Sequence, residues 1–257
     1  MPKVLEAHRD AIVSLLNKTL RTSEISDYSV NGLQVEGSAK ITKIGLAVDA
    51  SMETYKLAQK NGCQMIIVHH GIIWDGIKSI TGPMHRQIEF LIKNNINLYA
   101  SHLPLDLHPT LGNNAQIAKI FGLKNMQPFG IYKNGLHLGF EGYLPHSATV
   151  KSISELVKKK FGGPVSSLPF GQQKILRVAI VSGRGSASIP EAVEKKIDLF
   201  VTGESAHENH HAALEGNLNV IYGGHYHTEK PGVQAVGKFL NKKFNVETVF
   251  LDVPTLV

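Results

Sequence analysis

Ile44–His70 reads IGLAVDASMETYKLAQKNGCQMIIVHH, and the fold is decided in this stretch. Ile44 to Val48 is an apolar run of strand length. Met52 to Asn61 has helical spacing and stops at Asn61-Gly62, a helix-ending pair. Met65 to Val68 is a second apolar run and reads as a short buried strand. Strands alternating with helices predict an α/β fold with largely parallel sheets.

The same rhythm extends outward. Val4, Ala7, Ala11, Ile12, Leu15 and Leu16 repeat at helical spacing within residues 4–20. A helix is expected over His85 to Asn94, a strand over Ile96 to Ala100, and a helix over Asn113 to Phe121, stopped by Gly122. In the second half, strands are expected at 138–144, 175–181, 199–202, 218–222 and 246–251. Helices are expected at 150–161, 189–197, 206–215 and 231–244, the last with Pro231 near its start. Residues 125–137 have the weakest periodicity and are assigned as the connection between two lobes, 1–127 and 128–257. Gly162 to Gly171, rich in Gly, Pro and Ser, is assigned as a loop.

Composition bounds the function. The chain has 257 residues, 42% hydrophobic and 19% charged, an ordinary globular balance. Such a length buries about 70–75% of the unfolded surface, so no staple is needed. Cys63 is the single cysteine, which excludes an intramolecular disulfide and a Cys-rich zinc framework. No apolar run reaches the roughly 18 residues of a membrane span. Met1 to Asp10 carries charges where a signal peptide needs an apolar stretch, so a cytoplasmic location is expected. The net charge of +6 favours anionic partners without selecting nucleic acid. The unusual count is 13 histidines.

Several of them fall just after strands, where α/β folds build sites. Val48 is followed by Asp49, Val68 by His69 and His70, and Ala100 by Ser101, His102 and, four residues on, Asp106. Thr202 is followed by Gly203 and Glu204, and Tyr222 by a stretch containing His225 and Glu229. Adjacent histidines on an extended backbone face opposite sides, which suits two neighbouring metals better than one. Two close cations need a bridging carboxylate, and Asp106 is the natural one. His225 and Glu229 form a second pair, four residues apart. Nitrogen and oxygen donors without thiolate suit zinc, manganese, iron or similar divalent ions. Hydrogen-bonded buried histidines are the bland alternative.

Three features compete for attention. His207-Glu208-Asn209-His210-His211 matches the zinc-protease pattern, but no third ligand follows at the usual spacing. Ser182-Gly183-Arg184-Gly185-Ser186 could cradle a phosphate on backbone N–H groups with Arg184 adding charge; a tight turn with capping serines is the plainer reading. Trp74, the only tryptophan, could roof the site, stack a base, or serve the core or an interface.

Five ordered stretches carry a family resemblance: Asn31 to Gly37, Val68 to Gly71, His102 to Asp106, Leu111 to Ala115, and Gly224 to Glu229. With them the chain resembles, from about Val4 to Leu251, the GTP cyclohydrolase 1 type 2 homologues, also called the Ngg-interacting factor three family. The resemblance implies two intertwined α/β lobes with mixed, largely parallel sheets, in the short form without the inserted domain. It implies two divalent metals per chain on His69, His70, Asp106, His225 and Glu229, with Glu204 near them and a family histidine at His211. His227 has no family counterpart, and is either an extra ligand or a solvent-facing imidazole. The resemblance also implies a homohexameric ring.

The expected function is a metal-dependent hydrolase of a nucleotide-like or phosphorylated small molecule, with Glu204 or His102 moving protons. The alternative is a ring-shaped protein that binds single- or double-stranded DNA non-specifically, or an adaptor, in which the metals are structural or regulatory. No membrane association is expected.

Overall fold

The structure is a computed structural model that describes residues 6–77 and 79–255; the apolar position at Val4 and the first five residues of the leader reading lie outside it. Elements are numbered in chain order. The first ten are β1 (Ala7–His8), α1 (Arg9–Leu20), β2 (Gly32–Val35), β3 (Lys40–Ile41), β4 (Lys43–Asp49), α2 (Met52–Lys60), β5 (Met65–His70), α3 (Gly82–Lys93), β6 (Asn97–Ala100) and α4 (Leu103–Asp106). They are followed by α5 (Asn113–Phe121), β7 (Lys124–Ile131), β8 (His137–Ala148), α6 (Val150–Phe161), β9 (Ser166–Pro169) and β10 (Ile175–Val181). The chain ends with α7 (Ile189–Glu194), β11 (Leu199–Thr202), α8 (His210–Glu215), β12 (Asn219–Tyr222), α9 (His225–Phe244) and β13 (Glu247–Phe250).

Two compact units result. The first holds the chain up to Leu111 together with Val233–Val253; the second holds Gly112–Gly232. The division therefore falls at 111/112, with a return at 233, rather than at the expected 127/128. The reason is packing: Ile117, Ala118 and Phe121 of α5 belong to a core of the second unit. The supposed connection at 125–137 is largely β7, which pairs antiparallel with β8. The supposed loop at 162–171 contains β9, paired with β12.

The first unit has a five-stranded sheet in the order β13-β4-β5-β6-β2. Its pairs are parallel except β2 with β6, and β1 and β3 form a small antiparallel ribbon. Both faces are covered, so the central strands are apolar throughout. Alternate residues go to opposite cores. Ile44, Leu46, Met65, Ile67 and Tyr99 pack with Ile12 and Leu16 of α1 and Val236 and Leu240 of α9. Ala47, Ile66, Val68, Leu98 and Ala100 pack with Tyr55 and Ala58 of α2 and Leu91 of α3. Each buried branched side chain contributes about 1.5–3 kcal/mol. Ser51 caps α2, its side chain accepting from Thr54 N.

The second unit repeats the plan in a six-stranded sheet, β7-β8-β10-β11-β12-β9. The β10, β11 and β12 strands are parallel and the outer pairs antiparallel. Val178, Ile180, Leu199, Val201 and Ile221 face α5 and α6; Ala179, Val181, Phe200, Val220 and Tyr222 face α7 and α8. A capping box at Thr149 and Ser152 opens α6.

Two helices differ from expectation in ways that matter for the site. The last helix begins at His225, six residues before Pro231, which lies inside it. The segment 206–215 is split into a 3-10 turn at His207–Asn209 followed by α8. Among the described residues, no helix is long and apolar enough to cross a membrane.

Candidate metal centre

Each unit presents metal-type donors at the carboxyl ends of its parallel strands. In the first unit, β5 ends in His69 and His70, and Asp49 at the end of β4 stands opposite His70 in register. After β6 the chain turns through Ser101 and His102 into α4, which ends in Asp106. His69 is fully buried, with Nδ1 3.0 Å from the Ser101 carbonyl oxygen. An Nδ1–H donating to that carbonyl leaves the lone pair on Nε2, which lies 3.4 Å from Asp106 Oδ2. A lone pair and a carboxylate at that separation need a proton or a metal cation to mediate between them. His70 Nδ1 is 2.8 Å from Asp49 Oδ1. His102 Nδ1 is 3.0 and 3.1 Å from the two oxygens of Asp27. The three imidazoles offer nitrogens that all lie within 4.8 Å of one another.

The strand-alternation argument needs correction. The rings of His69 and His70 do not face opposite sides; their centroids are 4.6 Å apart. His70 is the last residue of its strand, and the Asp49 carboxylate on the neighbouring strand holds its ring. His102, expected only as a proton carrier, joins the cluster, 5.1 Å from the His69 ring.

Asp27 is the residue that sequence reasoning missed. Its side chain is 2% exposed, yet it accepts from Leu103 N at 2.9 Å, Asn31 Nδ2 at 3.0 Å and Ser29 N at 3.2 Å, besides His102. Burial pushes its pKa up, but His102, Asn31 and the Leu103 N–H outweigh burial and hold it at about 2. Asn31 Oδ1 accepts from His102 N at 2.7 Å. Gln34 Oε1 accepts from Ile72 N and Ile73 N, just beyond the histidine pair. The Asn31 to Gly37 stretch thus braces the loops that carry the donors. Its only sequence signal was that resemblance.

In the second unit, His225 and Glu229 share one face at the start of α9, with His225 Nε2 3.1 Å from Glu229 Oε2. Glu204, at the end of β11, places Oε1 2.5 Å from His225 Nδ1. Burial lowers the His225 pKa, but the Glu229 and Glu204 carboxylates outweigh it and raise it to about 9. The carboxylate on Nδ1 orients the ring, as outer carboxylates do for metal-bound histidines. Gly183 packs behind the pair; it has φ +59°, and a Cβ there would overlap Glu229 Oε1.

The backbone part of the phosphate-cradle reading of residues 182–186 fails on hydrogen bonding. Ser182 N donates to Asn114 Oδ1 at 2.7 Å, Gly183 N to Thr228 Oγ1 at 3.0 Å, and Gly185 N to Thr202 Oγ1 at 3.1 Å. The loop is a brace for Glu204 and His225, and Asn114 of the Leu111 to Ala115 stretch pins it. His227 is neither ligand-like nor solvent-facing: it is buried, with Nδ1 3.1 Å from Phe161 O. His207, His210 and His211 are exposed, and the break before His210 removes the continuous helix a protease motif needs. Among the described residues, none of these three joins a cluster of metal-type donors.

The donors are imidazole and carboxylate, and Cys63 is buried elsewhere in the core. That set suits borderline and hard divalent cations. Trp74 is fixed by Nε1 donating to Gly71 O at 2.9 Å, with its ring 5.1 Å from His102 and 6.1 Å from His70. Cobalt(II) added to metal-free protein is therefore expected to quench the lone tryptophan's emission. Unchanged emission at saturating cobalt would show that no metal binds near His70 and His102.

Comparison with known proteins decides the family. The model of the Duf34/NIF3 (NGG1p interacting factor 3) family matches residues 7–255. The chain belongs to this family. A family relative from Archaeoglobus fulgidus, named GTP cyclohydrolase 1 type 2 homolog, is 44% identical over 244 residues, 95% of this chain and 97% of the relative. A relative of the same name from Pyrococcus horikoshii is 44% identical over 248 residues, 96% of this chain and 98% of its own length. Among solved structures, TTHA1606 from Thermus thermophilus superposes with a TM-score of 0.89 at 36% identity, covering 98% of this chain and all of that one. Reduced HcgD from Methanocaldococcus jannaschii superposes with a TM-score of 0.84 at 27% identity, with the same coverage.

Proposed function

We propose that the chain is a dinuclear metal-dependent hydrolase of a nucleotide-like or phosphorylated small molecule. The ligands proposed, those the family resemblance implies, are His69, His70, Asp106, His225 and Glu229. The observation that carries the reading is the set of held imidazoles. In His69, His70, His102 and His225, Nδ1 faces a carbonyl or carboxylate. That arrangement fixes each ring and, in the neutral imidazole, puts the proton on Nδ1 and the lone pair on Nε2, the atom that would ligate a metal. Of the four, His69 is fully buried and the other three are partly exposed.

When bound, two divalent cations supply Lewis acidity and a water acidified toward neutral pH. The chain's own part is positioning and proton handling. Asp27 holds the Nδ1–H of His102 and leaves its Nε2 as a proton acceptor, the arrangement of a general base. Glu204 holds His225 and is assigned an orienting role. The +6 charge and the relatives' name both favour an anionic nucleotide-like substrate.

The test is metal removal and return. Protein purified without chelator is expected to carry two ions per chain by elemental mass spectrometry. Hydrolysis of a nucleotide or phosphoester panel should vanish on chelation and return with zinc, manganese or iron. A full metal load with no hydrolysis across the panel would sink the reading and leave the metals a structural or regulatory role.

A further inference from the structure

The second unit carries a trough that the metal donors do not explain. One hollow of about 630 Å³ is lined by Ser166, Arg184, Gly203, Glu204, Ser205 and Tyr222. A second, of about 590 Å³, shares Ser166, Ser205 and Tyr222 with the first and extends to Ser167, His207 and His210. Each has the size of a small-molecule site, about 300–1,000 Å³. We propose that this trough seats the anionic end of the substrate, a phosphoryl or pyrophosphoryl group, with Arg184 as the residue that recognises it. The proposal rests on the hydrolase reading and names the chemistry its substrate presents.

Three observations carry it. First, Arg184 is pre-set in its backbone and open in its side chain. The residues on either side are tied down through Gly183 N and Gly185 N, whereas the Arg184 side chain is 86% exposed. Among the described residues its guanidinium makes no hydrogen bond; the nearest carboxylate oxygen is Glu204 Oε2 at 3.9 Å from Nε. A planar fork of N–H donors held at a cleft wall matches phosphate oxygens.

Second, the one lining carboxylate is already engaged. Glu204 Oε1 is 2.5 Å from His225 Nδ1, and its Oε2 stands 3.9 Å from Arg184 Nε, a long ion pair that an incoming phosphoryl group can displace. Glu204 also ties the trough directly to a residue of the proposed metal centre. A phosphoryl group seated on Arg184 therefore lies next to the ring that Glu204 orients.

Third, the wall carries further donors, set among apolar residues such as Val165 and Leu168. Ser166, Ser167 and Ser205 supply hydroxyls, and His207 and His210 supply imidazoles at the far end. The His210 ring is packed edge-on against Phe170, with centroids 5.3 Å apart. This gives the histidine-rich stretch a use that needs no metal. A single guanidinium with hydroxyls and imidazoles suits a compact phosphorylated molecule. A nucleic acid backbone would call for a row of cations.

The experiment is calorimetric titration of the metal-loaded full chain with inorganic pyrophosphate, with metal content checked before and after. Arg184→Ala is expected to keep its metal and bind pyrophosphate about tenfold or more weakly. Arg184→Lys should recover part of the affinity, because a point charge lacks the fork. The double variant His207→Ala, His210→Ala should also bind more weakly. Unchanged affinity in Arg184→Ala, or no binding to the wild type, overturns the proposal. So does binding that is lost in Asp106→Asn but indifferent to Arg184, which would put the anion on the metals alone. Arg184-dependent pyrophosphate binding without hydrolysis of any phosphoester would uphold the trough and sink the hydrolase reading.

Discussion

Asp106→Asn protein is expected to fold as the wild type does, yet to lose most of its metal and to hydrolyse substrate at least about a hundredfold more slowly. Asparagine keeps the shape of the side chain and removes its charge. Asp106 is 8% exposed, and its Oδ2 faces the Nε2 of a fully buried His69. Without a cation, a buried carboxylate costs stability. The metal-free variant should therefore melt no lower than metal-free wild type, while the metal-loaded wild type melts above both. His69→Ala should lose metal too, but with a lower melting temperature, because the Ser101 carbonyl loses its donor. Elemental analysis and calorimetry on the same preparations check all of this. A fully metallated, fully active Asp106→Asn protein would remove Asp106 from the site.

Asp27→Ala should be the most destabilising single change near the centre, about 3–5 kcal/mol. It strands a backbone N–H at Leu103, an amide at Asn31 and the imidazole of His102 around one buried position. Asp27→Asn retains part of the network and should cost less. The pH dependence has a definite sign. The folded-state pKa of about 2 lies below the unfolded value of about 3.9. The charge of Asp27 therefore contributes about 2 kcal/mol of stability above pH 4, lost as pH falls through 2. Urea unfolding of metal-free protein should show the gap between wild type and Asp27→Asn shrinking with acid. An equal gap at pH 2 and pH 6 would mean that the carboxylate's charge is not what holds His102.

Much of the candidate site was legible because donor-type residues sit where strands end. His69, His70, Asp106, His225, Glu229, Glu204 and His102 all lie at or just past the carboxyl ends of parallel strands. A short apolar run followed by a histidine or carboxylate can be read without knowing the fold. Asp27 could not be read that way. It lies in the irregular stretch between α1 and β2, and its importance comes from partners 75 and 76 positions away along the chain. The start of α9 was missed for a related reason. Glycines before it and Pro231 within it point to a late start, while His225 and Glu229 need the earlier one to share a face.

The sequence by itself determined the alternation of strands and helices, the two-faced burial of the sheets, the family, and the chemical type of the donors. Those properties follow from local periodicity and from which residues follow each strand. Only the tertiary structure decided where the units divide, that the His69 and His70 rings converge, and that the backbone of residues 182–186 braces a glutamate instead of cradling a phosphate. Each depends on a hydrogen bond or packing contact between segments far apart in the chain, and local periodicity carries no record of such a partner. Arg184 shows both sides. The sequence marked it as a charge on a glycine-rich turn; the fold tied down the backbone beside it and left the guanidinium facing an open trough.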